Sequence, residues 1–339
     1  MKNVLKVAGF NFNKLDSPED LKLLQFTDVK VRDSKNFLVS SGPFYEIIIY
    51  NDLMELDVKS SILKEIENIV KIESKVKQVI CSEDNCYLLH FDGKVSQYNV
   101  MSKLSHPIEL SLKTSSELIT QISATSKALF GISSTNSLYK ILPTVDLIHE
   151  FQKHQKIKKM ESGLEHTLIL TSNGDVYSFG CCLRGQLGLG TMSVDEPVKL
   201  IDALGGIKII DISCSAFCSI AVSSFGDVYS FGWNTNGQLG IKKVTDRCKQ
   251  VYSLPEIVES IENELDPIIS VSCGYKHTIL RTEKHKLYAS GLNNYGQLGI
   301  NKELNEIDEF REINVEGIDK NTILCCGYWT TYLINYVQN

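Results

Sequence analysis

HTLILTSNGDVYSFGCCLRGQLG, residues 166–188, reads as a β-hairpin followed by a tight glycine-bounded loop. Thr167–Leu170 is a short apolar strand, and Asn173-Gly174 is a turn pair that tolerates positive φ at both central positions. Asp175–Phe179 returns with apolar and polar residues alternating at period two. Gly180 ends that strand, and Gly185-Gln186-Leu187-Gly188 closes the loop. The text recurs as CSIAVSSFGDVYSFGWNTNGQLG over 218–240 and as HTILRTEKHKLYASGLNNYGQLG over 277–299. The GQLG segments begin at 185, 237 and 296, steps of 52 and 59 residues. A repeat of this length carrying strands rather than helices implies one four-stranded sheet per repeat, and so an all-β propeller.

Within a blade the strands are lettered A to D from axis to rim. Strand A ends at the slot of Cys214, Cys273 and Cys326, B begins at that of His166, Cys218, His277 and Thr330, and D follows the GQLG loop. Weaker B–C hairpins lie upstream. Cys86–His90 faces Val95–Tyr98 across Asp92-Gly93, and Ala128–Ile132 faces Leu138–Ile141 across Thr135-Asn136. A third pairs Phe37–Val39 with Glu46–Tyr50 across Ser41-Gly42-Pro43. The stretch 52–76 is assigned to strand D of that blade with an added loop, in preference to a helix through Leu53–Leu56 and Ile62–Ile66.

The chain ends decide the blade count. Leu5–Asn11 matches Val228–Asn234, a strand C with no B before it, whereas Thr322–Cys326 and Thr330–Ile334 supply A and B and then stop. Joining them predicts a last blade shared by residues 2–12 and 320–337, which closes the ring and removes free sheet edges. The reading is one seven-bladed propeller over 1–339, with clear repeats over 158–335 and degenerate blades over 1–157.

Composition narrows the classes. At 43% hydrophobic and 22% charged the chain is ordinary for a soluble globular protein. A net charge of -6 disfavours nucleic-acid binding over the whole surface, since phosphate contacts need a cationic footprint. No signal peptide and no run of about 18 apolar residues is visible, so a nuclear or cytoplasmic protein, monomeric on its own, is expected. Ten cysteines then read as reduced thiols. Cys214, Cys273 and Cys326 share one slot, with Cys81 assigned to the same slot upstream, and no short paired spacing marks a metal site. They read as small residues packed where inner strands crowd the axis.

Motifs of catalysis are missing: no Gly-x-Ser-x-Gly, His-Glu-x-x-His, phosphate-binding P-loop or Gly-x-Gly-x-x-Gly occurs. No enzyme, cofactor or metal is expected. His166 and His277 are repeat residues expected to satisfy backbone groups inside their own blades, and Asp175 and Asp227 are turn carboxylates. Gly185, Gly237 and Gly296 are assigned to chain reversal where a Cβ would clash. Gln186, Gln238 and Gln297 are assigned to loop backbone, and Leu187, Leu239 and Leu298 to the blade cores. The basic run Lys153–Lys159 resembles a weak nuclear-localisation cluster but leads into a strand A, where a solvated strand edge accounts for it.

The order small-Cys-Gly, His-Thr, Gly-x-Val-Tyr-x-x-Gly, Gly-Gln-Leu-Gly resembles the regulator of chromosome condensation repeat. It lacks the Gly-His and Trp-Asp of WD repeats and the paired glycines of kelch. The family's ultraviolet-sensing members need clustered tryptophans, and this chain has only Trp233 and Trp329. Length and the closing Cys326-Gly327-Tyr328-Trp329-Thr330-Thr331-Tyr332 are similar to a short single-propeller member. That resemblance implies a non-enzymatic scaffold that binds and regulates a Jumonji-C oxygenase in chromatin regulation. Two other family activities stand as alternatives. One is guanine nucleotide exchange on a Ran-like small GTPase, against which the acidic charge argues. The other is an accessory role in tRNA or diphthamide modification.

A–B and C–D loops emerge on one face of a propeller. That face is expected to display Glu165, Phe217, Lys276 and Trp329 from A–B loops, with Leu183, Arg184, Trp233, Asn234, Asn293 and Tyr295 from C–D loops. Aromatic residues and arginine concentrate at interface hot spots, so the partner-binding candidates are Arg184, Phe217, Trp233, Asn234, Tyr295 and Trp329. The structural alternative is that Trp233 and Phe217 merely cover blade tops. Arg184 is expected to project into solvent, where it could reach a recessed iron centre of an oxygenase. The longer 59-residue step leaves an insertion between Ile241 and Pro267 that holds Lys242, Lys243, Arg247 and Lys249. It reads as a rim loop or as a dock for a partner beside Trp233.

Overall fold

The computed structural model describes residues 4–10, 22–29, 31, 37–60, 68–242, 250–259, 266–300 and 304–335. Among these, strands assemble into seven four-stranded antiparallel sheets set round a central axis. Blades 1 to 3 span 37–71, 76–108 and 119–150, and blades 4 to 6 span 157–200, 209–257 and 268–313.

Blade 4 shows why the repeat folds this way. Its strands are A Ile157–Ser162, B His166–Thr171, C Val176–Gly180 and D Glu196–Leu200. Every residue of strand B is buried, because both faces of a blade pack against neighbouring blades. The rim strands are wet, as in Leu104–Ile108 of blade 2. The apolar core is accordingly divided into seven clusters, each straddling one junction between consecutive blades. At the junction of blades 5 and 6, Cys218, Val222 and Val228 meet Val271, Leu280 and Phe310. Each such fully buried aliphatic side chain is worth roughly 1.5–3 kcal/mol of transfer free energy.

The ring closes by the two ends of the chain. Val4–Phe10 runs antiparallel to Thr330–Asn335, with Val4 opposite Asn335 and Gly9 opposite Thr330. Blade 7 therefore reads Ile323–Cys326 (A), Thr330–Asn335 (B), Val4–Phe10 (C) and Lys22–Val29 (D). Gly9 has φ +116°, and a Cβ there would lie 2.2 Å from the Trp329 carbonyl oxygen. Gly180, Gly232 and Gly291 meet the same obstacle at the ends of their own C strands. The N-terminal segment thus carries the glycine that a strand C requires. Tyr332 Oη donates to Glu46 Oε2 at 2.9 Å, tying blade 7 to blade 1.

Blade 1 departs from the sequence reading. Phe37–Ser41 is the innermost strand and pairs with Tyr45–Tyr50, so that hairpin is A–B, not B–C. Strand C is Glu55–Ser60 and strand D is Asn68–Lys71. Leu53–Leu56 therefore enters strand C rather than D, and Ile62–Ile66 falls outside the described residues. Ser41 and Tyr45 stand where blade 6 carries Cys273 and His277, so neither residue that marks the end of A and the start of B is present, although Tyr45–Tyr50 is buried at all positions as a strand B is.

Candidate interaction face

The three GQLG loops are held by their own side chains. In blade 5, Asn236 N–H donates to Gln238 Oε1 at 2.8 Å and Gln238 Nε2 donates to the Trp233 carbonyl at 2.7 Å. Asn234 Oδ1 accepts from Leu239 N–H at 3.1 Å, and Leu239 is fully buried. Gln186 and Gln297 repeat this by accepting from Arg184 N–H at 2.8 Å and Tyr295 N–H at 3.0 Å. These are the roles the sequence assigns to glutamine and leucine.

The loops also do something that the repeat pattern does not announce: each leans on the next blade. Gly237 has φ +79°, and a Cβ there would lie 2.3 Å from Asp308 Cα, on strand D of blade 6. A Cβ at Gly185 would likewise lie 2.7 Å from the Tyr252 carbonyl oxygen of blade 5. From below, Ser219 Oγ donates to the Gln186 carbonyl at 2.8 Å. Thr278 Oγ1 does the same for Gln238, and Thr331 Oγ1 for Gln297, both at 2.7 Å.

The histidines complete this link. His166 Nε2 lies 2.9 Å from Ser219 Oγ and His277 Nε2 3.0 Å from Thr331 Oγ1. Each hydroxyl has given its proton to a carbonyl, so it accepts from the ring, which places the proton of a neutral imidazole on Nε2. The expectation that these rings serve their own blades is corrected: they bridge to the next one. Burial drives both pKa values down to about 3.

Above the loops, the predicted face holds two aromatic groups. Phe217 and Trp233 meet edge to face at 5.8 Å, and the Arg184 guanidinium lies 4.0 Å over the Trp233 ring. Arg184 is exposed but laid across the indole of the next blade, rather than projecting freely. In the second group Tyr275 and Tyr328 stack at 5.2 Å, with Trp329 4.9 Å from Tyr275 and 5.7 Å from Tyr295. Burial pushes the Tyr328 phenol up to about 12. Asn234 and Asn293 lie beneath this surface with their amides used inside their loops. Glu165 pairs with Lys127 of blade 3. The basic segment of the insertion lies almost wholly outside the described residues.

Tyr275 and Tyr328 were not among the sequence candidates. They occupy the middle of the A–B loops, where Leu164 and Ala216 stand in blades 4 and 5. Backbone bonds there pass from blade to blade: Leu164 N–H to Ala216 O, Ala216 N–H to Tyr275 O, and Tyr275 N–H to Tyr328 O. Aligning those loop positions across repeats is the signal that finds them.

Inside this circlet, an axial cavity of ≈ 420 Å³ is lined by strand A residues. Cys81 pairs with Cys86 in the register that sets Cys214 opposite Ser219, so the shared cysteine slot is real. Burial pushes the Cys273 thiol up to about 12, which leaves little nucleophilic thiolate. Lys159 corrects the reading of the basic run as a solvated edge, since its ammonium lies 2.8 Å from Asp211 and 3.3 Å from Glu161. Burial opposes that charge, but the two carboxylates outweigh it and hold the ammonium above its ordinary pKa. Among the described residues, no three His, Cys, Asp or Glu side chains converge to hold a metal, and no helix is long and apolar enough to cross a membrane.

Models of the regulator of chromosome condensation (RCC1) repeat match residues 173–222 and 226–280, and a second model of that repeat matches 157–186, 209–238 and 268–297. Three RCC1 repeats thus stand within a seven-bladed propeller. Its relatives include the ultraviolet-B receptor UVR8 of Arabidopsis thaliana, 26% identical over 267 residues, which are 78% of this chain and 52% of that protein. RCC1 domain-containing protein 1 of Mus musculus is 29% identical over 209 residues, covering 52% of this chain and 55% of the relative. The chain thus spans about half the length of these relatives. In fold it superposes on Prp20p of Saccharomyces cerevisiae with a TM-score of 0.79 at 15% identity, over 100% of this chain and 92% of Prp20p. RCC1-repeat matches lie wholly within blades 4 to 6, where the GQLG loops stand.

Proposed function

We propose that the protein is a non-enzymatic scaffold that docks a protein partner on the face formed by its A–B and C–D loops. The observation that carries this reading is the pair of aromatic groups around Trp233 and Trp329, with Arg184 laid across the first. Folding does not require that arginine, because its repeat counterparts are Asn236 and Tyr295. Rigid aromatics and arginine at loop tips give large contact area at small entropic cost. Arg184, Phe217, Trp233, Tyr295 and Trp329 are the contact residues, and Asn234 supports them from below. The partner assigned is a Jumonji-C oxygenase in chromatin regulation, as the resemblance to short family members implies.

The test is affinity capture from nuclear extract with mass spectrometry, run on wild type, Arg184→Ala and Trp233→Ala. The reading expects a Jumonji-C oxygenase with wild type and a loss of at least tenfold in the variants at unchanged thermal midpoint. Capture within twofold of wild type by both variants would contradict it. The fold shared with Prp20p, whose structure is described with its binding to Gsp1p and histones, motivates a second reading as an exchange factor. Accelerated nucleotide release from a Ran-type GTPase would favour that reading. Capture of tRNA- or diphthamide-modification enzymes would favour the accessory role instead.

A further inference from the structure

Each GQLG loop takes a seat over a strand B hydroxyl of the following blade, and the loops of blades 4 and 5 also lie against that blade's strand D. The same seat exists between blades 3 and 4, and no loop of this kind fills it. Blade 3 passes from strand C to strand D through Pro143-Thr144-Val145 alone. Its histidine slot holds Ala128. Thr167, the register counterpart of Ser219, instead pairs with Ser162 Oγ at 2.8 Å. On strand D, Glu196 is the counterpart of Tyr252 and Ile307, whose backbones support Gly185 and Gly237.

A groove of ≈ 740 Å³ opens at this seat. Phe130 and Phe179 border it, packed edge to face at 5.0 Å, and strand D supplies Glu196 and Val198. Its lip carries Leu183 and Val194, which are 52% and 72% exposed. Leu183 neighbours Arg184, so the groove runs into the candidate face.

We propose that this groove docks a glycine-bounded turn of a partner protein, carrying a leucine and, just before its first glycine, a basic side chain. This rests on the scaffold reading and names the element by which a partner would engage. The molecule supplies its own precedents, because three turns of this kind sit in the equivalent seats. Such a turn is organised by its own Asn and Gln side chains, so it keeps its shape when it belongs to another chain. The basic residue follows from charge. At the junction of blades 5 and 6, Asn236 Nδ2 donates to Glu306 Oε2 at 3.2 Å. The counterpart of Glu306 in blade 4 is Asp195, an exposed carboxylate at the groove's edge. A cation in place of Asn236 meets it with an ion pair.

The probe is a head-to-tail cyclised peptide carrying residues 233–241 with Asn236→Arg, titrated onto the full chain by fluorescence anisotropy. Saturable binding is expected, weakened at least tenfold by Leu239→Ala in the peptide and at least fivefold by Asp195→Lys in the protein. Ala128→Trp, which fills the groove, is expected to abolish it. Because Asp195 is exposed, its variant keeps the test meaningful even where Ala128→Trp fails to fold. Equal binding of the probe and its Leu239→Ala form, or indifference to Asp195→Lys, overturns the proposal. Partner capture that still depends on Trp233 would then leave the scaffold reading standing without the groove.

Discussion

Blades 4 to 6 and blades 1 to 3 make sheets of the same strand number and order, and side chains of both halves hold the next strand A, as Asp211 holds Val271 N–H at 2.9 Å, yet the clear half adds a second tie through its loops. In the clear half, a loop carbonyl receives a serine or threonine hydroxyl from the next blade, twice with an imidazole behind it. In the degenerate half, side-chain amides grip the next strand A. Asn51 takes both polar backbone groups of Val76, and Gln78 takes those of Ile122. Asn136 accepts from Ile157 N–H at 2.9 Å and donates to Gln155 O at 3.1 Å. Every apolar junction is dry enough that an unpaired polar group would cost about 1–3 kcal/mol. A propeller therefore needs a polar tie between blades, and the recurring motif is one of several chemistries that provide it.

The widest break in this comparison is at the ring closure, where the tie is a whole strand. Deleting residues 1–12 removes strand C of blade 7 and detaches its strand D, so the truncated chain is expected to lose its single cooperative melt by circular dichroism. A melt matching the full chain would contradict shared closure.

A smaller break uses glycine. Gly237→Val puts a β-branched residue at φ +79° against the backbone of blade 6. Gly206→Val meets a similar φ of +81° with nothing within 4 Å. Urea unfolding should give a loss of roughly 3 kcal/mol or more for the first and about 1 kcal/mol for the second. Equal losses would mean that φ alone matters and that the loop does not lean on its neighbour.

Acid distinguishes the halves gradually, over several pH units. His166 and His277 titrate near 6.5 when unfolded and at about 3 when folded, so the unfolded chain binds more protons between those values. Their contribution is present above pH ~6.5 and is lost as pH falls toward ~3, by up to ~1.4 kcal/mol per pH unit for each ring. The double variant His166→Asn/His277→Asn should flatten that limb of a stability–pH profile. An unchanged slope would mean that the rings are not buried neutral.

What the sequence revealed follows from what a repeat can carry. The period, the GQLG turns and the lone strand C at Leu5–Asn11 are properties of the chain itself, and they led to the seven-bladed ring. Blade 1 was misread because Ser41 and Tyr45 replace the cysteine and histidine that mark the end of A and the start of B in blade 6. The faces of Asn234 and Asn293 were misjudged for a related reason, since a polar residue in a loop reads as surface until its hydrogen bonds are seen. Recurrence marks which residues are constrained. It does not say what lies opposite them, so the partners of His166 and Gly237 in the next blade stayed hidden.

The central claim is that the motif joins blades rather than building them. Thr278→Val removes one hydroxyl donor to the Gln238 carbonyl and should cost about 1 kcal/mol. Native-state hydrogen exchange locates that loss. Protection should fall together in the loop 234–240 of blade 5 and in His277–Thr282 of blade 6, with Val228–Trp233 unchanged. A loss confined to His277–Thr282 would contradict the claim.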